Sequence, residues 1–261
     1  MRVPTLIALL IFVMSASTFA APVPLEYQIL HERAHPHRAF TQGLLIHRGQ
    51  FVESSGLYRQ SFVQRYPVTD GEPGLVRHQS RRDFSEGLAF TGKHYWLLTW
   101  QQGLARKLDA ELRPVSIARY QGEGWGLTFD GRQLIMSNGS AELSFRDPDS
   151  FELTQQLAVT YKNQPLNAIN ELEFAEGLIW ANVWFSPMIY AIDPANGQVV
   201  STVDLSALVD TENKSPDAVL NGIAYDADDR TFWVTGKRWR KLYQLRITPG
   251  PGAITQATDA R

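Results

Sequence analysis

The chain has 261 residues, of which 44% are hydrophobic and 11% aromatic, with a formal net charge of −2. That balance gives no reason to expect nucleic acid or an anionic membrane as partner. It contains no cysteine, which rules out disulfides, thiol nucleophiles and Cys-ligated zinc, so burial alone must hold the fold together.

Residues 1–20 read as a targeting segment. Arg2 supplies a positive start, Leu6 to Met14 is a run of nine apolar residues, and Thr18-Phe19-Ala20 offers a small-x-small cleavage pattern. The run is too short to span a bilayer as a helix. The expectation is a signal peptide cleaved near Ala20 and an exported protein, periplasmic or secreted.

Glu26 to Leu30 is a lone strand pattern. From there the chain repeats itself in five units, opened by Gln42-Gly43-Leu44, Glu86-Gly87-Leu88, Trp125-Gly126-Leu127, Asn170-Glu171-Leu172 and Asn221-Gly222-Ile223. The openings are 44, 39, 45 and 51 residues apart. Each unit begins strand, tight turn, strand, with turns such as Arg48-Gly49, Asp130-Gly131 and Glu176-Gly177. Third strands are predicted at Ser61 to Tyr66, Ala105 to Leu108, Glu142 to Arg146, Met188 to Ile192 and Leu242 to Ile247. Fourth, outer strands follow at Leu75 to His78, Ser116 to Tyr120, Thr154 to Thr160 and Val199 to Leu205. The fifth unit lacks one, and residues 248–261 read as a flexible tail.

A period of about 40–50 residues built from short strands predicts an all-β, five-bladed β-propeller over residues 21–247. The N-terminal strand is expected to pair with the fifth blade, closing the ring and removing an exposed edge.

Hairpin geometry then selects residues. The start of each first strand lies beside the end of its antiparallel partner, so Gln42, Glu86, Trp125, Asn170 and Asn221 should share one rim with Ser54, Ser55, Trp100, Asn138, Trp184 and Lys237. Alternation puts Asn182 and Thr235 on the faces of Trp184 and Lys237. The result is one carboxylate, one lysine, several amides and three tryptophans around an apolar cup. Trp96, Trp180 and Trp233 recur four residues before a strand end in three units and read as packing between blades. A Glu86 buried beside Trp100 would have a raised pKa suited to proton transfer, whereas a solvated turn would leave it ordinary. His31, His35 and His37 show no metal spacing.

Taken together, Phe40-Thr41-Gln42-Gly43-Leu44, Phe84-Ser85-Glu86-Gly87-Leu88, Gly124-Trp125-Gly126-Leu127-Thr128, Asn170-Glu171-Leu172-Glu173, Ala181-Asn182-Val183-Trp184 and Val234-Thr235-Gly236-Lys237-Arg238-Trp239 resemble the plant-type glutaminyl-peptide cyclotransferases. The likeness runs in order from about Glu26 to Ile247. It implies a five-bladed propeller that converts an N-terminal glutamine of a peptide or protein to pyroglutamate, with release of ammonia. By motif position Glu86 matches the family's catalytic carboxylate. Gln42, Phe84, Trp100, Trp125, Asn170, Trp184 and Lys237 match its pocket residues, with Asn182 beside them. Lys237 or Asn170 would donate to the developing oxyanion. No cofactor is required on this reading; the resemblance leaves room for a structural calcium, and a monomer is expected. The sequence departs from the pattern at Asn138, where Asp is usual, at Arg240, where Pro is usual, and at Arg59, where Gly is common. Two other functions stay open, a non-catalytic peptide-binding propeller and a metal-dependent, lactonase-like hydrolase needing several channel carboxylates.

Overall fold

The computed structural model describes residues 21–212 and 214–249, and its regular structure is almost entirely strand. The expected leader and residues 250–261 of the expected tail lie outside the described residues. Strand β1 (Val23–Ala34) leads through a short 3-10 turn into an antiparallel sheet of β2 (Thr41–His47), β3 (Gln50–Ser55), β4 (Phe62–Pro67) and β5 (Leu75–His78). A second holds β6 (Ser85–Phe90), β7 (Tyr95–Thr99), β8 (Leu104–Leu108) and β9 (Pro114–Arg119). The third holds β10 (Leu127–Phe129), β11 (Leu134–Met136), β12 (Glu142–Arg146) and β13 (Leu153–Ala158). After the small ribbon β14 (Thr160–Tyr161) and β15 (Gln164–Pro165) come β16 (Ile169–Ala175), β17 (Leu178–Val183), β18 (Met188–Ile192) and β19 (Val199–Asp204). Helix α1 (Ser206–Glu212) then precedes β20 (Leu220–Asp226), β21 (Thr231–Gly236) and β22 (Lys241–Pro249).

These last strands form one sheet of eight, in the order β16-β17-β18-β19-β1-β22-β21-β20. Strand β1 joins its halves, pairing antiparallel with β22 and parallel with β19 over Val23 to Leu25. The lone strand thus reaches the fifth unit as expected and also bonds to the fourth. The tail begins later than the sequence suggests: Thr248 and Pro249 continue β22 and pair with Glu26 and Leu25. An available partner strand there overrides the weak strand propensity of a Thr-Pro end.

The apolar residues fall into five clusters among the described residues, each filling the space between two successive groups of strands. Leu45 and Val52 meet Leu88 and Leu97; Trp96 and Leu98 meet Leu127 and Leu134. Ile135 and Leu143 meet Leu172 and Ile192, and Trp180 and Ile189 meet Phe232 and Val234. Trp233 and Leu242 pack back on Leu44 and Phe51 of the first sheet. Trp96, Trp180 and Trp233 are therefore packing residues, as their spacing predicts.

The first strands β2, β6, β10, β16 and β20 touch in a cycle, β20 returning to β2. They approach so closely that a Cβ on Gly87 would lie 2.4 Å from the backbone nitrogen of Leu127, and one on Gly126 would lie 2.0 Å from the carbonyl of Asn170. That contact is why glycine recurs after the opening residue. The fourth unit instead has Glu171, whose carboxylate crosses the channel to accept the N–H groups of Leu44 (3.2 Å) and Ile223 (2.9 Å).

In four of these strands the ladder slips at the opening residue, between Thr41 and Gly43, Ser85 and Leu88, Ile169 and Leu172, and Leu220 and Ile223. A bulge of this kind re-aims one side chain out of the alternating pattern. Buried Glu53 fixes the lead-in to β2, accepting from Thr41, Gln64 and Tyr66 and pairing with His35 at 2.8 Å. At Arg240 the backbone N–H, which a proline would lack, donates to Glu212 at 2.9 Å.

Candidate active site

The bulges and strand ends converge on a cavity of about 410 Å³. Glu86 from β6, Gln42 from β2, Asn170 from β16 and Lys237 just after β21 supply its polar groups; Phe84, Trp100, Trp125 and Trp184 supply its aromatic walls. Of the nine catalytic and pocket residues expected from sequence, all but Asn182 line this cavity; Ser54, Ser55, Asn138, Asn221 and Thr235, expected around the same rim, do not. Phe84 and Trp100 lie with ring centroids 5.4 Å apart, and Trp125 meets Trp184 edge-on at 5.6 Å. Trp184 is 45% exposed, stacking on Phe185 at 4.7 Å at the outer lip.

Asn182 is the exception. It is fully buried, but its Oδ1 accepts the N–H of Gly222 at 2.9 Å, and it is not part of the cavity wall. Alternation identifies the face on which Asn182 sits but not its depth, and at that depth it holds the β20 bulge. Asn138, at the corresponding end of β11, closes its own turn by accepting from the N–H and hydroxyl of Ser140. Thr235 likewise donates to the carbonyl of Lys241.

Glu86 is 4% exposed and its environment is specific. Gln42 donates from Nε2 to Glu86 Oε1 at 2.9 Å, and Asn221 orients Gln42 by donating to its Oε1 at 3.3 Å and to the Thr41 carbonyl at 2.8 Å. Among the described residues Oε2 of Glu86 has no hydrogen-bond partner. Burial pushes the Glu86 carboxyl well above the ordinary carboxylate range; Lys237 opposes that shift and Glu123 adds to it. Burial also lowers the Lys237 ammonium, against the attraction of Glu86 and Asp217. The Lys237 ammonium lies 5.0 Å from the Phe40 ring centroid. Asn170 brings an amide that makes no hydrogen bond within the described residues, its Oδ1 buried and unmatched. A buried carboxyl with one free oxygen, a cation and an unused amide, set in an aromatic cup, can move a proton and stabilise a developing negative oxygen.

Sequence reasoning misses Glu123. Its Oε2 accepts from the indole nitrogens of Trp100 (2.7 Å) and Trp125 (2.9 Å), while Oε1 accepts from Gln101 at 3.1 Å. Burial alone would raise this carboxyl, but the donors from Trp125, Gln101 and Trp100 hold it below the usual range. One anion thus fixes two walls from different sheets. Phe40, Phe185, Pro216 and Asp217 complete the mouth. Phe40 stands two residues before Gln42 as Phe84 does before Glu86, a recurrence present in the repeat; Phe185, Pro216 and Asp217 lie in connections that carry no period.

Comparison with known proteins gives a consistent result. The family model described as glutamine cyclotransferase matches residues 5–247. A glutaminyl-peptide cyclotransferase of Arabidopsis thaliana is 34% identical over 231 residues, covering 85% of this chain and 71% of that protein. The crystal structure of Myxococcus xanthus glutaminyl cyclase matches with a TM-score of 0.82 and 37% identity, covering 88% of this chain and 99% of that one.

Proposed function

The chain belongs to the glutamine cyclotransferase family, and from that premise we propose that the aromatic cavity converts N-terminal glutamine of peptides and proteins to pyroglutamate, with Glu86 as proton shuttle. The observation that carries the assignment is the buried Glu86 carboxyl in the cavity wall, held through Oε1 by Gln42 and with Oε2 unpartnered among the described residues.

In the reaction the α-amine nitrogen bonds to Cδ of its own side chain, the Cδ–Nε bond breaks, and the amine's proton ends on departing ammonia. The attack is intramolecular, so holding the curled conformer supplies much of the rate. Phe84, Trp100, Trp125 and Trp184 enclose the side chain and exclude water. Glu86 takes the amine proton and returns it to the leaving nitrogen. Its raised pKa suits both directions near neutral pH, where an α-amine of pKa about 8 is partly neutral. Lys237 or Asn170 donates to the carbonyl oxygen as it becomes an anion.

The fold reading follows the same support. The cyclic contact of five first strands and the five apolar clusters between them favour a five-bladed propeller, with β1 sealing the ring between its fourth and fifth sheets. We infer export from the leader pattern of residues 1–20, and a monomer because one chain supplies every wall of the cavity. A channel calcium does not fit the residues: both oxygens of Glu171 already accept backbone N–H groups, and Glu173 accepts that of Tyr225. The same fact weakens the lactonase-like reading, which needs those carboxylates for a metal.

Recombinant protein lacking residues 1–20 should release ammonia from a Gln-Ala dipeptide stoichiometrically with pyroglutamyl-alanine. Binding without release would identify a peptide-binding module instead. Glu123→Gln should raise KM several-fold and red-shift tryptophan emission, because the neutral amide grips the indoles less firmly than a charge-assisted acceptor. Since Glu123 raises the Glu86 pKa, its neutralisation should move the acid limb of kcat/KM to lower pH. An unchanged KM and pH profile would remove Glu123 from the site's machinery.

A further inference from the structure

A second cavity of about 410 Å³ lies against the first, the two sharing the Phe40 ring as a wall. The chemistry changes across that ring. Where the first cavity is aromatic, the second is polar and cationic, lined by Arg38, Lys214 and Arg238 with no carboxylate among its lining residues. Three segments far apart in sequence bring these charges together, in a protein whose formal net charge is −2.

Neighbouring residues divide between the two cavities. Lys237 and Asp217 face the first, while Arg238 and Ser215 face the second. Arg38 and Lys214 make no ion pair among the described residues, and Arg238 has only Asp217 at 3.4 Å, both half exposed. Arg38 (φ 44°) and Arg238 (φ 59°) both take the left-handed backbone conformation that side chains disfavour. Such backbone outliers collect at functional sites. Asp217 lines the first cavity and Glu123 holds the indoles of two of its walls, whereas the charged side chains lining the second cavity are cations.

We propose that this groove receives the residues following the N-terminal glutamine and selects substrates with acidic side chains at the second and third positions. The inference rests on the glutamine-cyclising reading of the first cavity. With the glutamine seated, two residues of extended chain span about 7 Å, enough to cross an aromatic ring and set a carboxylate among the three cations. Exposed pairs of this kind are individually weak, so the selection is graded and acts mainly through KM.

The test compares Gln-Ala-Ala-Ala, Gln-Glu-Glu-Ala and Gln-Lys-Lys-Ala, with ammonia release measured in low salt. The acidic peptide should exceed the alanine peptide in kcat/KM by about five- to tenfold, and the lysine peptide should fall below it. Added salt should shrink the ratio, since these charges are exposed. In the double variant R38E/K214E the order of acidic and basic peptides should invert. Equal kcat/KM for the three peptides, or a preference that survives the double variant, would overturn the groove while leaving the cyclising reading intact. Ammonia from none of them would overturn both.

Discussion

Replacing Glu86 by Gln should lower kcat for an N-terminal glutamine by about 10²–10⁴-fold while leaving thermal unfolding unchanged or slightly improved. The substitution keeps shape and keeps an oxygen to accept from Gln42 Nε2, so the Asn221–Gln42 brace survives. It removes only the capacity to take and return a proton. Stability should not suffer, because burial already disfavours the charged form of this side chain. The residual rate should reflect confinement of the substrate and should lose the acid limb of the pH profile that Glu86 imposes. Steady-state ammonia release across pH 5–9 is the measurement; turnover within a few-fold of the parent would end the shuttle assignment.

Lys237→Met is the second large effect. If the ammonium donates to the developing oxyanion, kcat should fall about 10²–10³-fold. Its positive charge also holds the Glu86 pKa below where burial alone would put it. Without that charge Glu86 protonates more readily, so the acid limb of kcat/KM should move to higher pH, opposite to the shift expected for Glu123→Gln. The variant should fold, because burial opposes the charge at this position. A raised KM with kcat preserved would make Lys237 a binding residue and leave Asn170, with its unused amide, as the oxyanion donor.

What could be read in the sequence, and what could not, divides along physical lines. The repeat placed Gln42, Glu86, Trp125, Asn170 and Asn221 together because a hairpin brings its two ends side by side whatever else the chain does. The partner strand of each supplied Trp100, Trp184 and Lys237 by the same rule. Asn182 failed because alternation fixes a face and says nothing of height along the channel. Glu123 was invisible because a lone glutamate in a loop looks like a solvated one until both indole donors are seen to aim at it. Arg38, Lys214 and Arg238 come from a link, an inter-sheet loop and a strand-end turn, none of which carries a period. Thr248 and Pro249 read as tail because their composition carries no hint of the β1 edge that receives them.

That pairing has a kinetic corollary. Strand β1 bonds to β22, which lies far along the chain, from Leu25 with Pro249 to Ala34 with Lys241. Contacts between sequence-distant segments form late and slowly, so a nascent chain has an open seam until β22 has emerged. The walls of the aromatic cavity draw on residues from position 40 to position 237, so products that stop short of β22 should be inert as well as unfinished.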